Sequence, residues 1–191
     1  MSTLTVTHVT PEEYLAAERL SETRSEYIDG GVFPMPGGSL NHNLIATNLI
    51  VELVAQLRTT PCRVLGMDLK VRMLESRKFF YPDVVVVCDE PRFHDDRKDI
   101  VLNPVLVGEV LSKSTEAFDR GAKFEAYQTL ETLKEYLLVA QDAPRVEQYV
   151  RDEDGSWKYK SASGLESTLT LPSIRCTLNL AAVYDKVDFK S

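Results

Sequence analysis

Long hydrophobic runs are missing from this sequence. With them goes any helix able to cross a bilayer, which needs a stretch of about 18–20 apolar residues. Polybasic runs are missing too. Twenty-two Lys and Arg stand against 29 Asp and Glu, a net charge of -7. That balance argues against a general nucleic-acid coat, which works by neutralising phosphates. It leaves room for a nuclease, whose positive field is local and partly supplied by bound metal. Cysteine is scarce: Cys62, Cys88 and Cys176 are far apart and form no C-x-x-C pair. They read as small buried apolar residues in a reducing compartment, with neither a disulfide nor a zinc site. The signatures G-x-S-x-G, P-loop, G-x-G-x-x-G and H-E-x-x-H are all absent, and Ser112 and Ser114 have no histidine nearby in sequence to activate them. Met1 to Thr10 is polar, without the apolar segment of a signal peptide, so a cytoplasmic protein without membrane attachment is expected.

What is there suits one domain over residues 1–191, since 43% hydrophobic and 27% charged residues fit a globular chain with a sizeable core. Thr10-Pro11-Glu12-Glu13 opens a short helix to about Glu18, and Asp29-Gly30-Gly31 marks a hairpin turn. Asn43 to Leu57 has a helical apolar period. Val64 to Leu74 alternates as one strand, with Asp68, Lys70 and Arg72 on its wet side. Pro91 to Asp99 reads as a mobile surface loop. A helix starts at Ser114 or Thr115 and buries Phe118, Ala122, Ala126, Leu130 and Leu133. Strands follow at Glu135 to Ala140, Arg145 to Arg151 and Trp157 to Ser161, with a closing helix over Leu178 to Tyr184. The order gives a mixed α/β domain built around one sheet.

Two residues break this pattern. Asp83 lies in Tyr81-Pro82-Asp83-Val84-Val85-Val86-Val87, and Glu109 lies in Val105-Leu106-Val107-Gly108-Glu109-Val110-Leu111. Such runs read as strands buried on both faces, where an unpaired carboxylate costs several kcal/mol. If the strands are neighbours, the acids converge and can share a hard divalent cation. Mg²⁺ would accept one or two carboxylates, the carbonyl of Val110 and several waters. The plainer alternative is a turn cap at Asp83 and a structural ion pair at Glu109. Lys123 falls on the first turns of the next helix, from which its ammonium can reach back to the strand end. It can equally form an i,i+4 pair with Asp119. Lys113 is its rival, having the strand parity of Glu109. His42, in Gly37-Gly38-Ser39-Leu40-Asn41-His42-Asn43, is either a capping or surface residue or an accessory of the site. Asp68 and Lys70 fit a wet strand face. Grouped on one rim, Lys70, Arg72, Lys113, Arg120 and Lys123 would guide a phosphodiester.

Together, Asn41-His42-Asn43, Tyr81-Pro82-Asp83, Glu109-Val110-Leu111-Ser112, Ser114-Thr115, Phe118-Asp119-Arg120-Gly121-Ala122-Lys123-Phe124 and Glu135-Tyr136 resemble the Uma-two family. This is a family of bacterial restriction-endonuclease-like proteins within the PD-(D/E)XK nuclease superfamily. The likeness runs from the Tyr27-Ile28-Asp29-Gly30 hairpin to Tyr184. It implies a restriction-endonuclease-like core, a central mixed β-sheet flanked by helices, with metal held by Asp83 and Glu109. Leu111 stands two residues after Glu109, where the superfamily has lysine. The resemblance gives that role to Lys123 on the following helix. It implies an endonuclease that hydrolyses phosphodiester bonds in DNA with Mg²⁺ or Mn²⁺. A homodimer is expected besides, because two-fold assembly is the commonest arrangement of soluble oligomers and two sites suit the two strands of a duplex. The alternative is a weak or inactive nuclease-fold module that binds nucleic acid or a protein partner. A structural homodimer with an incidental acid cluster is the third reading.

Overall fold

Thr10 opens the first helix, α1 (Pro11–Glu18), through a reciprocal capping box. Its hydroxyl accepts from the Glu13 N–H, and the Glu13 carboxylate accepts from the Thr10 N–H. Asp29 and Gly30 both take positive φ, as the tight turn between β1 (Ser25–Ile28) and β2 (Gly31–Pro34) requires. Ser39 caps α2 (Leu40–Leu57) by accepting from the His42 N–H, so this helix begins earlier than its apolar period implies. The computed structural model describes residues 8–66, 68–73 and 77–189. The remaining elements are β3 (Arg63–Leu65), β4 (Lys70–Met73), β5 (Lys78–Phe80), β6 (Val84–Val87), β7 (Ile100–Val101), β8 (Leu106–Val110), α3 (Glu116–Arg120), α4 (Ala122–Gln128), β9 (Glu135–Val139), β10 (Arg145–Arg151), β11 (Trp157–Ser163), β12 (Thr168–Leu171), β13 (Cys176–Asn179) and α5 (Leu180–Val183).

The strands form two mixed sheets and a ribbon where the sequence implied one sheet. The first sheet runs β2-β1-β5-β4-β7, the second β11-β10-β9-β8-β6-β3, and β12 pairs with β13. The chain crosses from the first sheet to the second at Tyr81-Pro82-Asp83, between β5 and β6. Every residue of β6 and β8 is buried, which explains why neither run alternates. On one face, Val84, Val86, Leu106 and Val110 pack against Ile45, Leu49 and Leu53 of α2. On the other, Val85, Val107 and Leu111 meet Phe124 and Tyr127 of α4 and Val71, Met73 and Phe80 of the first sheet. Asp83 and Glu109 look into this second interlayer.

Several sequence expectations need correction. Val64 to Leu74 is not one strand: β3 pairs with β6 in the second sheet, whereas β4 pairs with β5 and β7 in the first. Gly66 ends the first piece, and Leu74 lies outside the described residues. Lys70 is therefore buried rather than wet, with its ammonium 3.1 Å from Asp99 and 5.0 Å from the Tyr81 ring centre. Asp68 does remain exposed and pairs with Arg24. The helix expected after Ser114 is two short helices separated at Gly121, and it stops before Leu130 and Leu133, though both are buried. Leu178 and Asn179 belong to β13, leaving only a short closing helix. Cys62 and Cys88, flanking the β3–β6 pairing, form a disulfide, and Cys176 is the free thiol. The reducing compartment inferred from unpaired cysteines thus loses its basis. Among the described residues no helix is long and apolar enough to cross a membrane.

The segment Pro91 to Asp99 is pinned, not loose. Arg19 at the end of α1 binds both Asp99 oxygens, at 2.7 and 3.0 Å, and reaches Asp95 at 2.7 Å. Hydrogen bonds from Arg19, then from Lys70, hold the Asp99 carboxyl far below the usual carboxylate range. A depressed folded value stabilises the protein above the ordinary aspartate value, and this is lost as pH falls through the folded value. Asp99→Asn should therefore cost about 1.5–3 kcal/mol near neutral pH, because two cations lose a charged acceptor. Urea denaturation across an acid series should show the gap between wild type and variant closing as pH falls.

Candidate active site

Register builds the centre. Val84 pairs with Gly108 and Val85 with Val107 in the antiparallel β6–β8 ladder, so one step further sets Asp83 opposite Glu109. Both side chains share the face that looks toward α4 and the first sheet. Asp83 sits just before β6, and its Oδ2 accepts the Val110 N–H at 2.7 Å. In an extended strand the N–H and C=O of one residue point to the same edge, so the Val110 carbonyl also looks toward Asp83.

Lys123 enters from the first turn of α4. Gly121, with φ -110° and ψ -105°, breaks the helix there. The Lys123 ammonium lies 2.9 Å from Glu109, 3.1 Å from Glu26 and 3.5 Å from Asp119. The i,i+4 contact with Asp119 thus exists, but as one arm of a larger cluster. All of these groups are nearly dry: Glu109 is 4% exposed, Lys123 5%, Asp119 3% and Glu26 9%. Tyr127, fully buried, donates to Glu109 at 3.1 Å, and the Tyr136 hydroxyl donates to the Asp119 carbonyl. Lys113, the rival lysine, is exposed in the turn after β8.

Charge in this space is unbalanced. Three carboxylates, Glu26, Glu109 and Asp119, surround one ammonium, a fourth, Asp83, lies beside them against His42, and burial with so many like charges nearby is costly. Burial pushes the Glu109 carboxyl well above its ordinary value, against the pull of Lys123. Burial alone would push Lys123 down, yet Glu109, Glu26 and Asp119 outweigh it and hold the ammonium charged. The lysine keeps its proton, and the surplus negative charge falls on the acids.

His42 joins from α2, with Nε2 3.3 Å from Asp83 Oδ2. Its backbone does serve the helix cap, but its ring faces the site. Nδ1 is buried with no hydrogen-bond partner among the described residues, and a Cβ at Gly38 would lie 2.8 Å from it. Gln141 ties this corner together: it accepts from Ser39 at 2.6 Å and donates to the Leu111 carbonyl at 2.5 Å. The sequence reading missed Glu26, Tyr127 and Gln141. Glu26 had one signal, an acid beside Tyr27 and Ile28 in a hairpin strand whose centre is buried. Of the expected cationic rim, Lys70 is bound to Asp99, Arg72 to His94, and Arg120 to Glu116 and to both oxygens of Glu147. No open rim remains among these three.

Mixed sheets flanked by helices, with Asp83 and Glu109 opposite each other at adjacent strands, define a mixed α+β fold. The chain belongs to the Uma2 family, described as "Putative restriction endonuclease", whose model matches residues 11–182. Two relatives come from Synechocystis sp. (strain ATCC 27184 / PCC 6803 / Kazusa). "Uncharacterized protein sll1609" is 39% identical over 149 residues, 78% of this chain and 84% of that protein. "Uncharacterized protein slr1290" is 37% identical over 186 residues, 95% of this chain and 94% of that protein. The crystal structure of "a putative nuclease belonging to DUF820" from Anabaena variabilis ATCC 29413 superposes with a TM-score of 0.73. It is 17% identical, covers 92% of this chain and 97% of that one, and so establishes the fold.

Burial lowers the His42 pKa, but the hydrogen bond and charge of Asp83 raise it further, and the net shift is upward. A raised value stabilises the fold below the ordinary histidine pKa, and the gain disappears as pH rises through the folded value. In metal-free protein, an NMR titration should put His42 above ordinary histidine, and Asp83→Asn should bring it down. A His42 pKa indifferent to Asp83→Asn would break the assigned contact.

Proposed function

We propose that this chain is a divalent-metal-dependent phosphodiesterase acting on DNA, with Mg²⁺ or Mn²⁺ as its cofactor. One observation carries the reading: three buried carboxylates share the Lys123 ammonium and a fourth, Asp83, is paired with His42, leaving more carboxylates than cations for a hard divalent ion to balance. The donors suit such an ion, since carboxylate and carbonyl oxygens favour Mg²⁺ and Mn²⁺ over softer metals. Among the described residues no three His, Cys, Asp or Glu side chains form a ready-made cage. Mg²⁺ does not need one, because it binds through one or two carboxylates and keeps several waters. Asp83, Glu109 and the Val110 carbonyl would be its protein ligands. When bound, the ion would polarise the phosphoryl oxygens and ease the ionisation of water.

The chain's own groups would do the rest. His42 orients Asp83 and shields its charge. Tyr127 holds one Glu109 oxygen by hydrogen bond. Lys123, kept charged by its acidic neighbours, would stabilise negative charge on the scissile phosphate. Two copies acting as a homodimer would let one assembly cut both strands. A second reading, a nuclease-fold module that binds without cutting, is favoured by the engagement of Lys70, Arg72 and Arg120 in internal contacts.

The deciding experiment pairs thermal unfolding with a nicking assay on duplex DNA, in Mg²⁺ and Mn²⁺. A ligand that binds only the native state at a hundred times its Kd adds about 2.7 kcal/mol. Either metal should raise the melting temperature of wild type and support cleavage, and Asp83→Asn should lose both. Metal binding without cleavage would favour the binding module, and no metal response at all would sink the proposal.

A further inference from the structure

An ammonium has three N–H donors and no acceptor. Those of Lys123 face three carboxylates, Glu109, Glu26 and Asp119, all within 3.5 Å. Phe80 closes the remaining side, with its ring centre 5.4 Å from the nitrogen. In this arrangement the buried ammonium is turned to the three acids and away from solvent. Lys70, Arg72 and Arg120 of the expected cationic rim are engaged elsewhere. A site built to receive a phosphodiester thus has its cation turned inward.

These acids hold Lys123 in close ion pairs. A divalent ion near Glu109 would carry twice the charge and compete for the same carboxylate. Two cations then cannot both keep Glu109 at full strength, since like charges a few ångströms apart in a dry site repel strongly. We infer that Lys123 is the resident counter-ion that an incoming divalent metal has to displace, so that metal binding releases its ammonium toward a phosphate. This rests on the metal-dependent reading above and adds an order to it: metal first, phosphate second. The exchange needs no proton transfer, because the lysine stays protonated on either side of it.

Calorimetry with MnCl₂ tests the exchange without any cleavage readout. Lys123→Gln removes the competing charge and should bind Mn²⁺ at least about tenfold more tightly than wild type. Lys123→Arg, which keeps the cation, should show no such gain. Adding Asp83→Asn to Lys123→Gln should abolish the tight binding, which locates the ion. If Lys123→Gln proves unstable from its surplus of acids, Lys123→Gln combined with Asp119→Asn restores the charge balance and keeps both proposed ligands. It should also exceed wild-type affinity. Binding that is unchanged or weaker in the folded Lys123→Gln variants would overturn the exchange while leaving the metal site standing. No Mn²⁺ binding in any variant would instead remove the metal-dependent reading, and the exchange with it.

Discussion

One buried ammonium links acids from the two sheets. Glu26 belongs to the first sheet, Glu109 to the second and Asp119 to the short helix α3, and Lys123 reaches all three from α4. Layers that otherwise meet through apolar contacts such as Phe80 against Tyr127 are joined here by charge. Removing one member of such a network leaves uncompensated buried charge, which is why each member constrains the others. The surrounding polar groups serve the same constraint. Tyr127 donates to Glu109, the Tyr81 N–H donates to Glu26, and the Val110 N–H donates to Asp83.

Much of this was legible in the sequence, for a physical reason. A carboxylate within a fully apolar strand conflicts with its surroundings, so Asp83 and Glu109 stood out before any fold was known. Parity along each run put them on one face, and the register of β6 with β8 keeps them there. The family resemblance, together with its helix position, singled out Lys123 over Lys113, and the structure has Lys123 beside Glu109 while Lys113 is exposed. Glu26 was nearly invisible because a short hairpin strand with one acid looks half-wet. Its burial depends on β5 lying beside β1, a pairing between segments far apart in sequence.

The failures share a cause. Lys70 and Arg72 alternate with apolar residues, which reads as a strand with one wet face. Local alternation cannot reveal that another segment covers that face, and here the chain from Pro91 to Asp99 brings Asp99 to Lys70 and His94 to Arg72. The break at Gly66 is similarly hidden: the alternation continues through it while the chain changes sheets. Cys62 and Cys88 were read apart because their 26-residue separation gives no hint that β3 and β6 are neighbours.

The central claim concerns where positive charge resides in this interlayer, and anomalous diffraction from a crystal soaked in Mn²⁺ tests it most directly. The account predicts a single strong peak bound by Asp83 and Glu109, beside the Val110 carbonyl, with the Lys123 ammonium moved off Glu109. A peak elsewhere, or Mn²⁺-saturated crystals in which Lys123 still bridges Glu26, Glu109 and Asp119, would contradict it.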